Sequence, residues 1–196
     1  MKKVVYLLSF GLLVAASSLV SCKKDKKTEP NTVVTPVATM ATYTDVAFSL
    51  DNSETATSSR FFSTATGKSY KRSEITSDLA AKVDLAFSNF NVGVVNFFVT
   101  PTDKDYISPA ISGARETIFI NYSSALSAAD FDAMTDDTKL KALTIDSSDN
   151  NSFGSTSIPL IVLFKNADGK KGAIKIKSIH MVGSDPRIVA DIKVQK

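Results

Sequence analysis

The chain has 196 residues, 43% of them hydrophobic, with a single cysteine and a single histidine. One cysteine excludes an intramolecular disulfide, and the only thiol lies near the N-terminus, away from any candidate site in the rest of the chain. The net charge of +3 comes from the first 30 residues: beyond them 17 basic residues face 18 acidic ones, which gives no sign of a nucleic-acid partner.

The N-terminus carries an export signal. Lys2 and Lys3 precede a mostly apolar run, residues 4–20, and the segment closes with Leu19-Val20-Ser21-Cys22. A basic start, an apolar run and a small-residue site are the parts of a secretory signal, and this ending resembles the lipobox of bacterial lipoproteins. The alternative is an uncleaved membrane anchor, for which an apolar run of about 17 residues is short.

We therefore predict a signal peptide over residues 1–21 and a lipid on Cys22, so that the membrane is a partner of the chain. The expected location is the outer membrane, with the periplasmic and extracellular faces both open. Residues 22–42, rich in Lys, Thr, Val and Pro, are typical of a disordered tether. Residues 43–196 are then a single domain.

From Tyr43 onward the dominant pattern has period two, which indicates β-strands. Val46, Phe48 and Leu50 alternate with polar or small residues. Further segments predict a hairpin at 60–71 around Thr66-Gly67, a helical turn at 77–82, and strands at 83–88, 92–100 and 117–122; of these strands, 92–100 is apolar enough to be buried on both faces.

A helical segment follows. Ser127 to Asp130 has the spacing of a capping signal ahead of Phe131, and a second helix is expected over residues 137–143. Residues 146–157 are polar and predict a loop.

The last 40 residues predict an antiparallel three-stranded meander: a strand over 158–164, a turn at Asn166 to Gly169, and two closing strands. Ile174, Ile176, Ser178, His180 and Val182 are expected on one face, and Ile188, Ala190, Ile192 and Val194 inward on the final strand. The fold class is mainly β, an antiparallel β-sheet domain with a small helical insertion around residues 127–143.

Three stretches together resemble HmuY-type lipoproteins of the Bacteroidetes. They are 60–68 (Arg-Phe-Phe-Ser-Thr-Ala-Thr-Gly-Lys), 83–87, where Val83-Asp84 replaces the usual Trp-Asp pair, and 164–170 with the two closing strands. The resemblance implies an all-β fold and a surface lipoprotein. The best-known members of the family bind haem through axial His or Met side chains, so haem is the first candidate cofactor.

His180 is the candidate haem ligand, with Met181 or Met134 as a second. In a regular strand Met181 would point away from His180, so the adjacent pair could not clamp one iron. The alternative is a structural histidine at the edge of an apolar face, and the sequence favours it.

Other candidates have ordinary structural alternatives. Oxygen ligands for calcium occur in one loop, but their spacing is not that of an EF-hand. A helical carboxylate group suits helix capping better than glycosidase chemistry. Tyrosines could serve a carbohydrate surface, although nothing in the sequence places them together. The calcium candidates are Asp146, Asp149, Asn150 and Asn151, and Asp103 with Asp105 is a weaker set of the same kind, more typical of a turn. The helical carboxylates are Asp130, Asp132, Asp136 and Asp137, and the tyrosines are Tyr43, Tyr70, Tyr106 and Tyr122.

The sequence predicts no enzyme, no catalytic residues and no metal site. It predicts a lipoprotein that binds a small ligand, or a partner protein, in nutrient uptake. The alternative is a structural or adhesive surface protein that contacts another macromolecule.

Overall fold

The computed structural model describes residues 37–55, 57–90, 94–184 and 186–196. The signal peptide, the lipobox with Cys22 and the tether up to residue 36 lie outside these residues. Residues 91–93, which include part of the strand predicted over 92–100, also lie outside them. The first strand begins at Met40, three residues before the predicted start of the domain at Tyr43.

The described residues form two β-sheets with three short helices, which confirms the predicted mainly-β fold class. A six-stranded sheet has the order β2-β1-β10-β9-β8-β7, and a four-stranded sheet has the order β4-β3-β5-β6. All neighbouring pairs are antiparallel except β1 with β2. The elements are β1 Met40–Phe48, β2 Ser58–Ser59, β3 Phe61–Ser63, β4 Lys68–Tyr70, α1 Ser77–Ala80, β5 Leu85–Phe90, β6 Val95–Val99, β7 Ile118–Ile120, α2 Ala128–Ala133, α3 Thr138–Ala142, β8 Leu160–Lys165, β9 Lys171–His180 and β10 Arg187–Gln195.

The two sheets share one apolar core. Phe62, Phe87 and Phe98 of the smaller sheet pack in the same cluster as Phe48 and Ile174 of the larger one. The T-shaped contact of Phe48 with Phe98, 5.0 Å between ring centroids, crosses from sheet to sheet. This arrangement is a β-sandwich, because each sheet buries one face against the other.

The period-two pattern predicted the inward face of β10 correctly: Ile188, Ala190, Ile192 and Val194 are all buried. The predicted strand at 83–88 is instead buried on both faces. Leu85 and Phe87 face the shared core, whereas Ala86 packs with Phe61 and Ile107 in a second cluster outside the smaller sheet. The loop that carries Ile107 covers this outer face.

The predicted helical insertion covers the outer face of the larger sheet. The Ser127 side chain accepts a hydrogen bond from the backbone N–H of Asp130 at 3.0 Å, the N-cap that the sequence predicts. Phe131 and Leu140 pack onto Ile161 and Ala173 of the sheet. The insertion is therefore a lid on an otherwise exposed sheet face.

Lys193 fastens this lid to the larger sheet at the C-terminal end of α2. Its Nζ donates hydrogen bonds to the carbonyl oxygens of Phe131 and Met134, both at 2.8 Å, and lies 5.0 Å from the centre of the Phe131 ring. A cation at this end of a helix satisfies carbonyls that have no partner within the helix. Burial lowers the pKa of Lys193, but the surrounding carbonyls hold the ammonium group.

A β-bulge at Lys177 reverses which side chains of β9 face the shared core from residue 178 onward. The register against β10 shifts between Val189 and Ala190, which inserts one extra residue into β9. Ile179 and Met181 consequently pack against the shared core, whereas His180 is exposed. The prediction that Ser178, His180 and Val182 share the face of Ile174 and Ile176 was wrong, because one extra residue inverts the alternation.

Gly172 leaves room for an aromatic ring from the neighbouring strand. It pairs with Phe164 on β8, and a Cβ added at Gly172 would lie 2.2 Å from the Phe164 ring and 2.9 Å from the carbonyl oxygen of Lys193. The ring therefore occupies the space that any other side chain at residue 172 would need.

Asp84 is a buried carboxylate next to the β3–β4 turn. Its Oδ2 accepts hydrogen bonds from the backbone N–H of Thr64, at 2.9 Å, and from the Thr64 hydroxyl. Burial raises the pKa of Asp84 above its ordinary value, and the hydrogen bonds from Thr64 oppose this rise. Asp84 thus ties the start of β5 to the turn while carrying a desolvation cost.

Candidate functional site

A cavity of about 250 Å³ opens where the two sheets meet on one side of the sandwich. β6 is an edge strand of the smaller sheet and β7 is an edge strand of the larger one, and the two lie beside each other. Residues from β6, β7, and loops 100–106 and 148–152 line the cavity. It is a cleft between two sheet edges, with a floor of strands and walls of loops.

Asn121 joins the two edges at the floor of the cavity. Its side chain lies 3% exposed, and its Oδ1 accepts from the backbone N–H of Phe98 at 2.6 Å. Its Nδ2 donates to the Phe98 carbonyl oxygen at 2.9 Å. One amide side chain therefore pairs with both backbone groups of Phe98, as the backbone of a neighbouring strand would.

The polar wall is the loop that the sequence predicts over 146–157. Asp149 Oδ1 accepts from the backbone N–H of Asn121 at 2.9 Å, and Asp149 Oδ2 accepts from the Asn151 side-chain amide at 2.7 Å. Further along, Phe153 forms a backbone bridge with Asn96 of β6, with N···O distances of 2.8 and 3.0 Å. The loop thus runs from the edge of β7 to the edge of β6 and is held at both ends.

The opposite wall is aromatic. The ring centroids of Phe97 and Tyr106 are 4.8 Å apart, and those of Phe90 and Tyr106 are 5.3 Å apart, both in edge-to-face geometry. Phe97 is buried, while Phe90 is 50% and Tyr106 is 38% exposed. The two outer rings keep free surface that a ligand could cover.

Tyr106 is positioned by its own loop and by a buried arginine. Asp103 Oδ1 accepts from the backbone N–H groups of Asp105 and Tyr106, both at 2.9 Å. Arg60 donates to the Tyr106 carbonyl oxygen at 2.6 Å and is itself paired with Asp51 at 2.6 Å. The aromatic wall therefore rests on a fixed backbone.

The cavity is acidic. Asp103 and Asp149 line it, and among the described residues neither forms an ion pair. None of the described lining residues is Lys, Arg or His. Lys104 is close in sequence but has Asp103 and Asp105 on either side. The field inside the cavity is therefore set by carboxylates and favours a cationic or neutral occupant over an anion.

The candidate haem ligands do not lie in this cavity. His180 is exposed at the end of β9, opposite Arg187 of β10. Met181 packs against the shared core, and Met134 is buried beneath the helical lid. The structure therefore keeps Met134 and Met181 in separate apolar clusters.

The remaining acidic candidates serve the fold. Asp146 pairs with Lys165 at 3.6 Å, and Asp137 pairs with Lys141 at 3.0 Å. Asp130 interacts with Ser127 in the helix cap. No group of three or more His, Cys, Asp or Glu side chains that could hold a metal ion occurs within the ranges that the structure describes.

Of the four candidate tyrosines, only Tyr106 lines the cavity. The Tyr43 hydroxyl donates to the Thr64 carbonyl oxygen at 2.7 Å, Tyr70 contacts Thr66, and Tyr122 is exposed elsewhere. The predicted polar loop and the Asp103 turn therefore converge at one cavity, which the sequence could not show.

The strand patterns of the sequence do not mark Asn121 or Asn96 as site residues. Each interrupts or ends an apolar strand segment, Val95-Asn96-Phe97 in one case and Ile120-Asn121 in the other. An amide inside an apolar run is the available signal, because a buried amide must find hydrogen-bond partners.

In the part of the chain that the structure describes, no helix has the length and apolarity needed to cross a membrane. The lipid on Cys22 and the outer-membrane location stay predictions. No protein-family model, curated protein or solved structure matches the chain, so its HmuY-like membership also stays a prediction.

Proposed function

We propose that the chain is a lipid-anchored, non-enzymatic binding protein whose domain holds a small ligand in the cavity between β6 and β7. The main observation that supports this proposal is the cavity itself, which has an aromatic wall facing a polar wall. Ligand sites are typically concave and largely preformed, with apolar surface and a few fixed polar groups.

The way the walls are held supports a binding role. The carboxylates of Asp103 and Asp149 accept backbone N–H groups and so fix the loops. Phe90, Tyr106 and Asn150 remain at the surface of the cavity. A rigid frame with free side chains at its mouth binds a ligand at a low ordering cost.

The test is a fragment screen of the ¹⁵N-labelled chain by NMR, with anionic, neutral and cationic small molecules. We expect a saturable shift of the backbone amides of residues 148–152 and Tyr106 with at least one fragment. The variant Asn150→Trp should weaken that binding, because a large side chain then stands at the mouth. Ser112→Trp, also exposed but outside the cavity, is the matched control. A screen with no saturable shift at these amides contradicts the proposal.

Haem stays a prediction from family resemblance. Haem carries carboxylate groups, and the acidic cavity does not favour them. A haem titration followed by Soret absorbance, beside His180→Ala, tests it. A saturable band lost in the variant supports haem at His180, and no saturable change removes haem from the proposal.

Contact with a partner protein is the second candidate function. Val94 and Val182 are 64% and 81% exposed and line one shallow depression with Met181. Exposed apolar residues that adjoin each other mark interaction surfaces. A photo-crosslinking residue in place of Val182 should then capture a protein in cells, whereas one in place of Ser112 should not.

A further inference from the structure

We infer that the cavity between β6 and β7 binds a small organic cation of the alkylammonium class. This inference rests on the proposed function and adds the chemical class of the ligand. It depends on three properties of the cavity: its charge, its aromatic wall and the hydrogen bonds that its carboxylates accept.

The charge selects the sign of the ligand. Asp103 and Asp149 both line the cavity, and no described lining residue is cationic. An anion would leave water for a site with two carboxylates and no positive partner, whereas a cation gains from both carboxylates. Arg60 stands behind Tyr106 and does not line the cavity; Asp51, at 2.6 Å, offsets part of its charge and also pairs with Arg72 at 2.9 Å.

The aromatic wall suits a diffuse positive charge. Ring faces of Phe and Tyr attract cations within about 6 Å of the ring centre, and quaternary ammonium groups are ligands that proteins recognise in this way. Phe90 and Tyr106 line the cavity with surface still exposed, and Phe97 backs them. An alkylammonium group also presents apolar methyl or methylene surface, which these rings can cover.

The small number of carboxylates in the cavity, and the hydrogen bonds that they already accept, argue against a metal ion. Asp149 already accepts N–H groups from Asn121 and Asn151, and Asp103 accepts two from its own turn. A calcium ion needs six to eight oxygen ligands at about 2.3–2.6 Å, and within the described ranges no group of three or more His, Cys, Asp or Glu side chains could hold it. An organic cation needs only the field of the carboxylates and can leave their hydrogen bonds in place.

The size of the cavity sets the size of the ligand. At about 250 Å³ it lies below the range of roughly 300–1,000 Å³ that is usual for drug-sized ligands. A headgroup of the size of choline is therefore a suitable probe, and a larger cation would have to leave part of itself in solvent.

The test compares choline with 3,3-dimethyl-1-butanol, its neutral isostere, on the full chain in nonionic detergent, by calorimetry and by NMR of the amides of residues 148–152. We expect choline to bind at least tenfold more tightly than the isostere, and its affinity to fall as salt rises. Tyr106→Leu and Asp103→Asn should each weaken choline binding severalfold. Tyr122→Leu and Asp146→Asn, which change the same residue types outside the cavity, should not.

Equal affinity for choline and its isostere overturns the inference and leaves the proposed function standing. So does binding of neutral or anionic fragments at these amides without choline binding. If no compound of any charge shifts these amides, the proposed function itself fails. Choline binding that is unchanged in both Tyr106→Leu and Asp103→Asn also overturns the inference, because the cation then lies elsewhere.

Discussion

Replacing Asn121 by leucine should destabilise the domain through the backbone of Phe98. The amide of Asn121 supplies both an acceptor for the Phe98 N–H, at 2.6 Å, and a donor for the Phe98 carbonyl, at 2.9 Å. Leucine has the same number and branching of side-chain heavy atoms but can do neither, so the change removes hydrogen bonding without leaving a void.

The magnitude follows from those two bonds. A buried backbone group left without a partner costs about 1–3 kcal/mol, so two such groups cost about 2–6 kcal/mol. Phe98 lines the cavity, and water entering there can satisfy part of the loss. We therefore expect the free energy of unfolding to fall by about 2–4 kcal/mol in Asn121→Leu.

Equilibrium urea unfolding measures this loss, provided that the slope against urea is unchanged. Asn150→Ala is the control, since Asn150 is exposed in the same cavity and should change stability by no more than about 0.5 kcal/mol. A second variant, Asn121→Asp, keeps the acceptor but turns the donor into an anion facing the Phe98 carbonyl. It should regain stability as pH falls, because a protonated carboxyl can donate again.

A loss below about 1 kcal/mol in Asn121→Leu would refute this reasoning, since the strand-like pairing would then contribute little. An Asn121→Asp variant whose deficit does not shrink in acid would refute the assigned direction of the Nδ2 hydrogen bond.

Three further variants test separate features. Lys193→Met leaves the carbonyls at the end of α2 without a donor and should lower unfolding stability by about 1–3 kcal/mol, whereas the exposed Lys170→Met should not. Gly172→Ala forces the Phe164 ring to move and should cost about 1–3 kcal/mol. Asp84→Asn should gain stability relative to the unmodified chain as pH rises from 3 to 7, because a raised pKa in the folded state means that ionised Asp84 disfavours folding.

Urea unfolding at 25 °C checks the first two variants, and a series of urea titrations from pH 3 to 7 checks the third. Lys193→Met with unchanged stability contradicts the role of Lys193 as a fastener of the lid. Gly172→Ala at no cost means that the ring has room to move. A stability difference for Asp84→Asn that is constant with pH contradicts the raised pKa of Asp84.

The sequence predicts those parts of the fold that depend on local alternation and capping. Ile188 to Val194 alternate without interruption, and the inward face of β10 follows directly. The Ser127 cap depends on residues only three positions apart. The face of β9 was predicted wrongly, because the bulge beyond Lys177 depends on its pairing with β10 and no residue type marks it.

The candidate site was predicted only in fragments. Asp103 and Asp149 stand out in the sequence as carboxylates in loops, but 46 positions separate them. They meet because β6 and β7 belong to different sheets that pack edge beside edge. Such a meeting is a property of sheet packing, which period-two patterns do not encode.

The hydrogen bonds along the cavity floor also close two open strand edges. Phe153 pairs with Asn96, Asn121 pairs with Phe98, and the 148–149 segment pairs with Phe119 of β7. Unpaired edges recruit strands from other molecules, so these contacts protect the domain against edge-to-edge aggregation. Residues whose hydrogen bonds cover a strand edge cannot be substituted freely to alter ligand preference. New specificities would have to arise at lining residues that do not cover a strand edge, namely Phe90, Tyr106, Asn150 and Ser152.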